Sequence, residues 1–424
     1  MSEHGAGKEM TQSSSQPREL KQHRWGDSVR NEIGLAIAIV VVFLVTLIFN
    51  QDYIHEPARN SRDILHQTAL LGIFALGSAI VIISGGIDLS SGSVIVISGS
   101  VCALTMMVLA PTGEDGLPDA TDVGITVVCL AIAAALLVGL LVGTLHAWLI
   151  TVIRLPPFVA TLASLVGLRS LAKILNQAVT RDLGNQQTSV RADDITFEVL
   201  KEWWIALLVF LVLGTLCWIL MNRTVIGRHL YALGGNEQAA RLCGIRTHQL
   251  KWLAYTISSV TASIAGVLYV AKIGVANPST LAVGYELNAI AAAVVGGCSL
   301  QGGVGLVPGV MLGVLFLRVV IDSVAKIIRA GSDDYQGLIV GFLVVLAVAF
   351  NEIRQQPRGT AKQLFPGAMG WCTIPVLALL VGMISYVLNG LTMGMWTAAI
   401  VLITLLEIKY LQSRSARGER SRER

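Results

Sequence analysis

Charge is what this sequence has least of: Asp, Glu, Lys and Arg make up 14% of its 424 residues, against 54% hydrophobic. A soluble globular domain carries about 25% charged residues, so that class is excluded, and nucleic acid is excluded as a partner despite the net charge of +4. Cysteine is sparse and scattered: Cys102, Cys129, Cys217, Cys243, Cys298 and Cys372 form no C-x-x-C pair and have no histidine at ligand spacing. That argues against a metal site or a dithiol redox centre and leaves buried, inert thiols. No phosphate-binding G-x-x-x-x-G-K-S/T loop occurs; the nearest run, Gly5-Ala6-Gly7-Lys8, continues into Glu9. The chain is therefore expected neither to hydrolyse nucleotide itself nor to hold a cofactor of its own. G-x-S-x-G and H-E-x-x-H are missing too, which argues against an intramembrane hydrolase and for a protein that is not an enzyme.

What fills the sequence instead is apolar runs of membrane-crossing length, about 20 residues of helix each. Candidate segments are 34–49, 63–83, 92–110, 124–150, 156–178, 203–221, 251–272, 285–297, 302–322, 336–350, 371–389 and 393–410, of which 285–297 and 336–350 are short. They predict an all-α, polytopic helical bundle of about ten core spans with an added C-terminal hairpin. The organisation expected is a disordered leader at 1–33, a core at 34–350, a linker at 351–370, the hairpin at 371–410 and a basic tail at 411–424. Threaded with the N-terminus inside, most Lys and Arg fall in interior loops and tails, so both termini are expected in the cytoplasm. No small-residue cleavage site clearly follows the first apolar run, so it reads as an uncleaved helix.

Two of the apolar runs are interrupted. Residues 84–93 read SGGIDLSSGS, and residues 294–309 read VVGGCSLQGGVGLVPG. Bare backbone is not tolerated in lipid, so both interruptions must face protein or a water-filled space. An ungapped comparison pairs Gly85 with Gly296, Gly86 with Gly297, Leu89 with Leu300 and Gly92 with Gly303, a pattern that points to an internal repeat around a central pathway. Gly85, Gly86, Asp88, Ser90, Gly92, Gly296, Gly297, Gly302 and Gly303 are the candidate pathway residues. Asp88 fits a helix N-cap, with substrate or ion handling as the alternative reading; Glu286 carries the same ambiguity. Arg169 and Lys173, four apart on one face, are expected to snorkel to the membrane interface.

The longest interior loop, 222–250, contains Gly234-Gly235-Asn236 followed by a short helical pattern. Asn236 is suited to cap a helix over Glu237–Leu242, and Gly244 suits its left-handed stop. A mere connection could be shorter, so the loop is expected to be a docking surface.

These stretches together resemble one family. GGIDLSSGS at 85–93, LPPFVATL at 155–162, Arg169-Ser170, GRHLYALGGNEQAARLCGI at 227–245 and GYELNAIAAAVVGGCSLQGG at 284–303 are similar to elements of permease subunits of bacterial ABC importers for monosaccharides, the ribose/xylose/arabinose/galactose-type branch. Val304 and Ser170 depart from the pattern, and the hairpin after residue 362 is an addition to it. The resemblance implies two permease subunits forming a channel, ATP-binding subunits docked beneath with ATP and magnesium bound on them, and a periplasmic sugar-binding protein above. It places the ATPase-docking loop on Gly234, Gly235, Asn236, Glu237, Ala239, Ala240, Arg241 and Gly244. The function it implies is monosaccharide translocation across the inner membrane by alternating access; an ion-coupled transporter or channel is the alternative.

Overall fold

A computed structural model describes residues 25–49, 56–113, 118–183, 187–327 and 367–422, with scattered positions between 337 and 345. Most of the leader, the linker before residue 367 and most of the expected segment 336–350 lie outside the described residues. The chain separates into two compact units, 1–351 and 352–424.

In the first unit the helices are α1 (Trp25–Phe49), α2 (Pro57–Ile83), α3 (Ser91–Leu109), α4 (Ile125–Thr151), α5 (Pro157–Asp182), the single turn α6 (Ile195–Glu198), α7 (Trp203–Arg223), α8 (Val225–Gly235), α9 (Glu237–Leu242), α10 (Thr247–Ile273), α11 (Tyr285–Val295) and α12 (Val307–Ile327). The second unit is a helical hairpin, α13 (Gly367–Asn389) and α14 (Leu391–Arg422), turned at Gly390 in the left-handed region. Among the described residues eight helices are long and apolar enough to cross a membrane: α2, α3, α4, α5, α7, α10, α12 and α14. The protein is an all-α, multi-pass membrane protein. Two differences from the sequence reading are of extent: α1 begins at Trp25, inside the expected leader, and α14 continues to Arg422, through the expected tail.

The bundle is layered around α2, which packs against α7, α10, α11 and α12. Its residues from Thr68 to Ile83 are all buried, as a helix that is apolar on every side must be. The outer helices α4, α5 and α7 instead expose Leu137, Leu141, Val166, Leu208 and Leu216, the side chains that meet lipid. Small residues let the inner helices approach. A methyl placed on Gly143 of α4 would lie 2.6 Å from the backbone of Thr256 on α10, and one on Gly139 would lie 2.6 Å from the Ser263 side chain. That Gly-x-x-x-Gly spacing is the close-packing device of membrane helices.

At one end of the bundle a two-residue antiparallel ribbon pairs β1 (Val190–Arg191) with β2 (Val275–Ala276). From β2 the chain runs down the flank of α5 to α11, an eleven-residue helix too short to span a bilayer. Arg169, midway along α5, donates to the carbonyls of Pro278 (2.8 Å), Leu281 (2.9 Å) and Ala282 (3.0 Å). Arg169 therefore does not snorkel. It anchors a loop at mid-bundle depth because that loop's carbonyls have no helix partners of their own.

Candidate functional site

Both interrupted runs end their helices in the same way. After α2, Gly85 sits at φ 84°, its N–H bonds Ile82 O (2.9 Å) and the Gly86 N–H bonds Val81 O (2.9 Å). After α11, Gly297 sits at φ 95°, its N–H bonds Val294 O (2.9 Å) and the Cys298 N–H bonds Ala293 O (2.9 Å). This is the paired 5→2 and 6→1 closure that a left-handed glycine permits at a helix C-terminus. The equivalence is thus Gly85 with Gly297, one residue later than the ungapped comparison gives. The left-handed position, and not the run of letters, sets the register.

The interior loop holds two helices where the sequence pattern yields one. The helix α9 has the expected bounds: the Asn236 side chain accepts from the Ala239 N–H (3.0 Å), and Gly244 (φ 81°) closes the end. Before it, α8 is capped by Thr224, whose hydroxyl accepts from the Gly227 N–H (3.1 Å), and takes Gly234 and Gly235 into its last turn. Glu237 pairs with Lys251 at the start of α10 (2.7 Å). Asn236, Ala239, Arg241 and Cys243 are exposed, and Leu242 is 90% exposed at the tip, while Ala240 packs inward.

These glycines meet. A methyl on Gly302 would lie 2.8 Å from Gly85 Cα and 3.0 Å from Gly234 Cα; one on Gly303 would lie 2.8 Å from Gly235 Cα; one on Gly234 would press on Ile83 O and lie 2.5 Å from Gly303 N. The Gly303 N–H donates to Ile83 O (2.8 Å), and the Tyr231 hydroxyl of α8 donates to Gly305 O (2.7 Å). Burial, reinforced by the nearby Cys298, pushes the Tyr231 phenol up to about 12, so it remains a donor. Three segments that the sequence presents separately, namely 85–86, 234–235 and 302–303, therefore form one backbone-to-backbone junction. Nothing with a Cβ fits at its centre. Gly296 is packed differently, against the α12 backbone at Gly309 and Val310, and Gly297 is open.

Asp88 and Ser90 lie behind the junction, both buried. Asp88 Oδ1 accepts from the Ser90 N–H (2.9 Å) and hydroxyl (2.6 Å), and Oδ2 accepts from the Ser258 hydroxyl of α10 (2.7 Å). Ser90 occupies the cap position of α3 without a side-chain cap bond. The carboxylate thus anchors the segment 86–90, which lies between α2 and α3, to α10, where an N-cap was expected. Gly92 admits the Glu286 carboxylate, and a methyl there would lie 2.9 Å from Ala282 O. Glu286 is buried, and its Oε2 has no hydrogen-bond partner. Ala282 itself holds φ 52°, a conformation rarely taken by alanine, under the grip of Arg169. Sequence reasoning did not single out Tyr231, Ser258 or α8; a serine-rich stretch at 258–263 and Thr224 before an apolar run are the signals that were there. Among the described residues no three His, Cys, Asp or Glu side chains gather as a metal site.

Comparison with known proteins is consistent with this architecture. Residues 60–348 match the family model described as branched-chain amino acid transport system / permease component. The ribose import permease protein of Escherichia coli (strain K12) is 32% identical over 328 residues, 75% of this chain and 93% of that one. The galactose/methyl galactoside import permease protein of the same strain is 29% identical, covering 75% and 94%. The autoinducer 2 import system permease protein of Yersinia pseudotuberculosis serotype O:1b (strain IP 31758) is 33% identical over 350 residues, 79% and 92% of the two chains. No solved structure matches. With the family match covering most of its first unit and these permeases aligned over nearly their whole length, the chain belongs to the family of transport-system permease components.

Proposed function

We propose that this chain is the membrane subunit of an ATP-driven importer for a monosaccharide-class solute, a pentose or hexose, working as a pair with a second permease subunit. The end carrying α8 and α9 faces the cytoplasm, consistent with the concentration of Lys and Arg in the loops and tails assigned to that side, and both termini lie there. An ATP-binding subunit, holding ATP and magnesium, docks on Gly234 to Gly244; a periplasmic binding protein delivers solute at the opposite end. The permease does no chemistry and binds no cofactor.

The observation that carries this reading is the glycine junction. The exposed tip of α9, with Leu242 90% exposed, is continuous with Gly234 and Gly235, and these touch both helix interruptions without an intervening side chain. Movement imposed on α9 reaches α2, α3, α11 and α12 through contacts that no rotamer change can absorb. The interruptions Gly85, Gly86, Asp88, Ser90, Gly92, Gly296, Gly297, Gly302 and Gly303 are in this reading the inner margin of the pathway. The test is purification of the tagged chain from its native membrane, wild type beside a Glu237→Ala/Arg241→Ala variant. Co-purification of an ATP-binding subunit with the wild type, depleted in the variant, is the expected result; a chain that purifies alone overturns it.

A second reading, ion-coupled transport, is favoured by the buried, partnerless Glu286 Oε2. It requires uptake by the isolated chain in vesicles under an ion gradient.

A further inference from the structure

The glycine junction leaves unexplained a cluster at the other end of α11. Arg318 stands midway along α12, too far from either end to reach the membrane surface, and is 7% exposed. Its Nε and Nη2, the edge with which guanidinium grips two anionic oxygens, make no well-formed hydrogen bond; the Tyr269 hydroxyl stands close enough to interact with both the guanidinium and Tyr285. The acid one turn further along, Asp322, pairs with Lys326 (2.9 Å). The Arg318 guanidinium lies 6.0 Å from the Tyr285 ring centre, and that ring packs against Tyr269 (5.2 Å) and parallel to Phe74 (6.4 Å). Lys272, in the last turn of α10, lies within electrostatic reach of Arg318 and of Asp63. His66 feels both Lys272 and Asp63, and its Nε2 is also without a partner.

His66 also borders a cleft of about 560 Å³, lined with Glu56, Arg59, Arg62, Asp63, Lys201, Glu202 and Trp203, at the end of the bundle opposite α9. That is within the size range of small-molecule sites, about 300–1,000 Å³. His66 of the cleft wall lies within electrostatic reach of Lys272, Lys272 within reach of Arg318, and the Tyr285 ring lies under the guanidinium. A buried guanidinium at mid-helix is costly to a membrane protein and is by default a functional-site hypothesis.

We propose that Arg318, with Lys272 and Tyr269 beside it and Tyr285 beneath, binds the anionic oxygen group of the transported solute, so that the substrate is a sugar acid or sugar phosphate and not a neutral sugar. The inference rests on the importer reading above and narrows its substrate. The carbon skeleton stacks on Tyr285, and the guanidinium edge takes the carboxylate or phosphate oxygens in a two-pronged contact.

The experiment has two arms. Full-length chain in nanodiscs is titrated with labelled aldonates and uronates of five and six carbons, the corresponding aldose phosphates, the neutral aldoses, and sodium sulfate. Wild type is compared with Arg318→Met, Arg318→Lys and Lys272→Met. Expected is binding of one anionic class, carboxylate or phosphate, at least about tenfold tighter than the matched neutral aldose, lost in Arg318→Met and partly kept in Arg318→Lys. Arg318→Met should be no less stable to heat than wild type, because it removes an unpaired buried charge; marked destabilisation assigns Arg318 a structural role and overturns the proposal. Equal binding of neutral and acidic sugars, or binding of sulfate alone, overturns it too. The second arm measures uptake of the same solutes by the native host with the chain's gene deleted and restored. Import of neutral aldoses, unchanged by Arg318→Met, sinks the anion assignment while the importer reading survives; unchanged uptake of every sugar on deletion sinks the importer reading itself.

Discussion

Replacing Gly234 by alanine and, separately, its neighbour Gly235 by alanine sets two nearly identical changes against each other. Both residues lie in the last turn of α8 with ordinary negative φ, so neither substitution strains the backbone. Only the surroundings differ. A methyl on Gly234 presses on Ile83 O and lies 2.5 Å from Gly303 N, both backbone atoms that cannot rotate aside, whereas a methyl on Gly235 meets nothing within 4 Å. Overpacking of this kind costs about 1–3 kcal/mol, and replacing an unneeded helical glycine gains about 0.5–1 kcal/mol. The helical gain is common to both variants and cancels, so they should be separated by about 1–3 kcal/mol. The assay is unfolding of the purified chain in mild detergent titrated with a denaturing one. Hydrogen exchange at the Gly303 N–H, whose bond to Ile83 O the Gly234 methyl must displace, gives a local readout. Gly234→Ala should lose stability and Gly303 protection, and Gly235→Ala should lose neither. Equal stability of the two variants, with Gly303 still protected in both, would refute the junction.

Four further outcomes are expected. Asp88→Asn keeps the acceptor for Ser90 and replaces the other oxygen by a donor that the rotatable Ser258 hydroxyl can accept, so uptake should persist, whereas Asp88→Ala strands both partners and costs roughly 2–4 kcal/mol; loss of uptake in a stably folded Asp88→Asn would favour ion coupling. Arg169→Ala, which removes three hydrogen bonds to the 278–282 loop, should destabilise by at least about 3 kcal/mol and open that loop to proteolysis, with Arg169→Lys intermediate. Tyr231→Phe should cost about 1 kcal/mol; in the wild type the phenol raised to about 12 contributes stability present below its ordinary value of 10.0 and lost as pH rises through 12, a slope the phenylalanine variant should lack in alkaline denaturation. Truncation after residue 362 should leave a chain that folds and imports, and a folded truncation that cannot import would show that the hairpin takes part.

Much of the fold was legible because apolar length is a strong signal. The segments 203–221 and 251–272 lie inside α7 and α10, and α9 was readable to the residue from Asn236 and Gly244, since caps are local chemistry. The junction was not legible. Glycine at 85, 234 or 302 announces only that a side chain is unwelcome, and which backbone it yields to is decided by helices brought together from distant parts of the chain. Arg169 was misread for a related reason: a cation on an apolar helix suggests snorkelling until a re-entrant loop supplies carbonyls at its own depth. Arg318 escaped notice because one arginine in an apolar run has no pattern around it.

The placement of these two kinds of residue divides the labour of the bundle. In the proposed importer, glycine stands where displacement would pass between segments, because backbone against backbone leaves no rotamer to take up the motion. Asp88 holds the segment 86–90 to α10 there, with both carboxylate oxygens hydrogen-bonded. Unpaired polar atoms stand around the first turn of α11: Glu286 Oε2 against Gly92, and Nε and Nη2 of Arg318 with His66 Nε2 beyond Tyr285. A satisfied buried network stiffens a structure, and an unsatisfied one waits for a partner. The half-length α11 lies between them, with its C-terminal closure next to the junction and Tyr285 in its first turn under Arg318. In the importer reading proposed above, a shift imposed at Gly302 and Gly303 would be carried along the eleven residues of α11 to the tyrosine beneath Arg318.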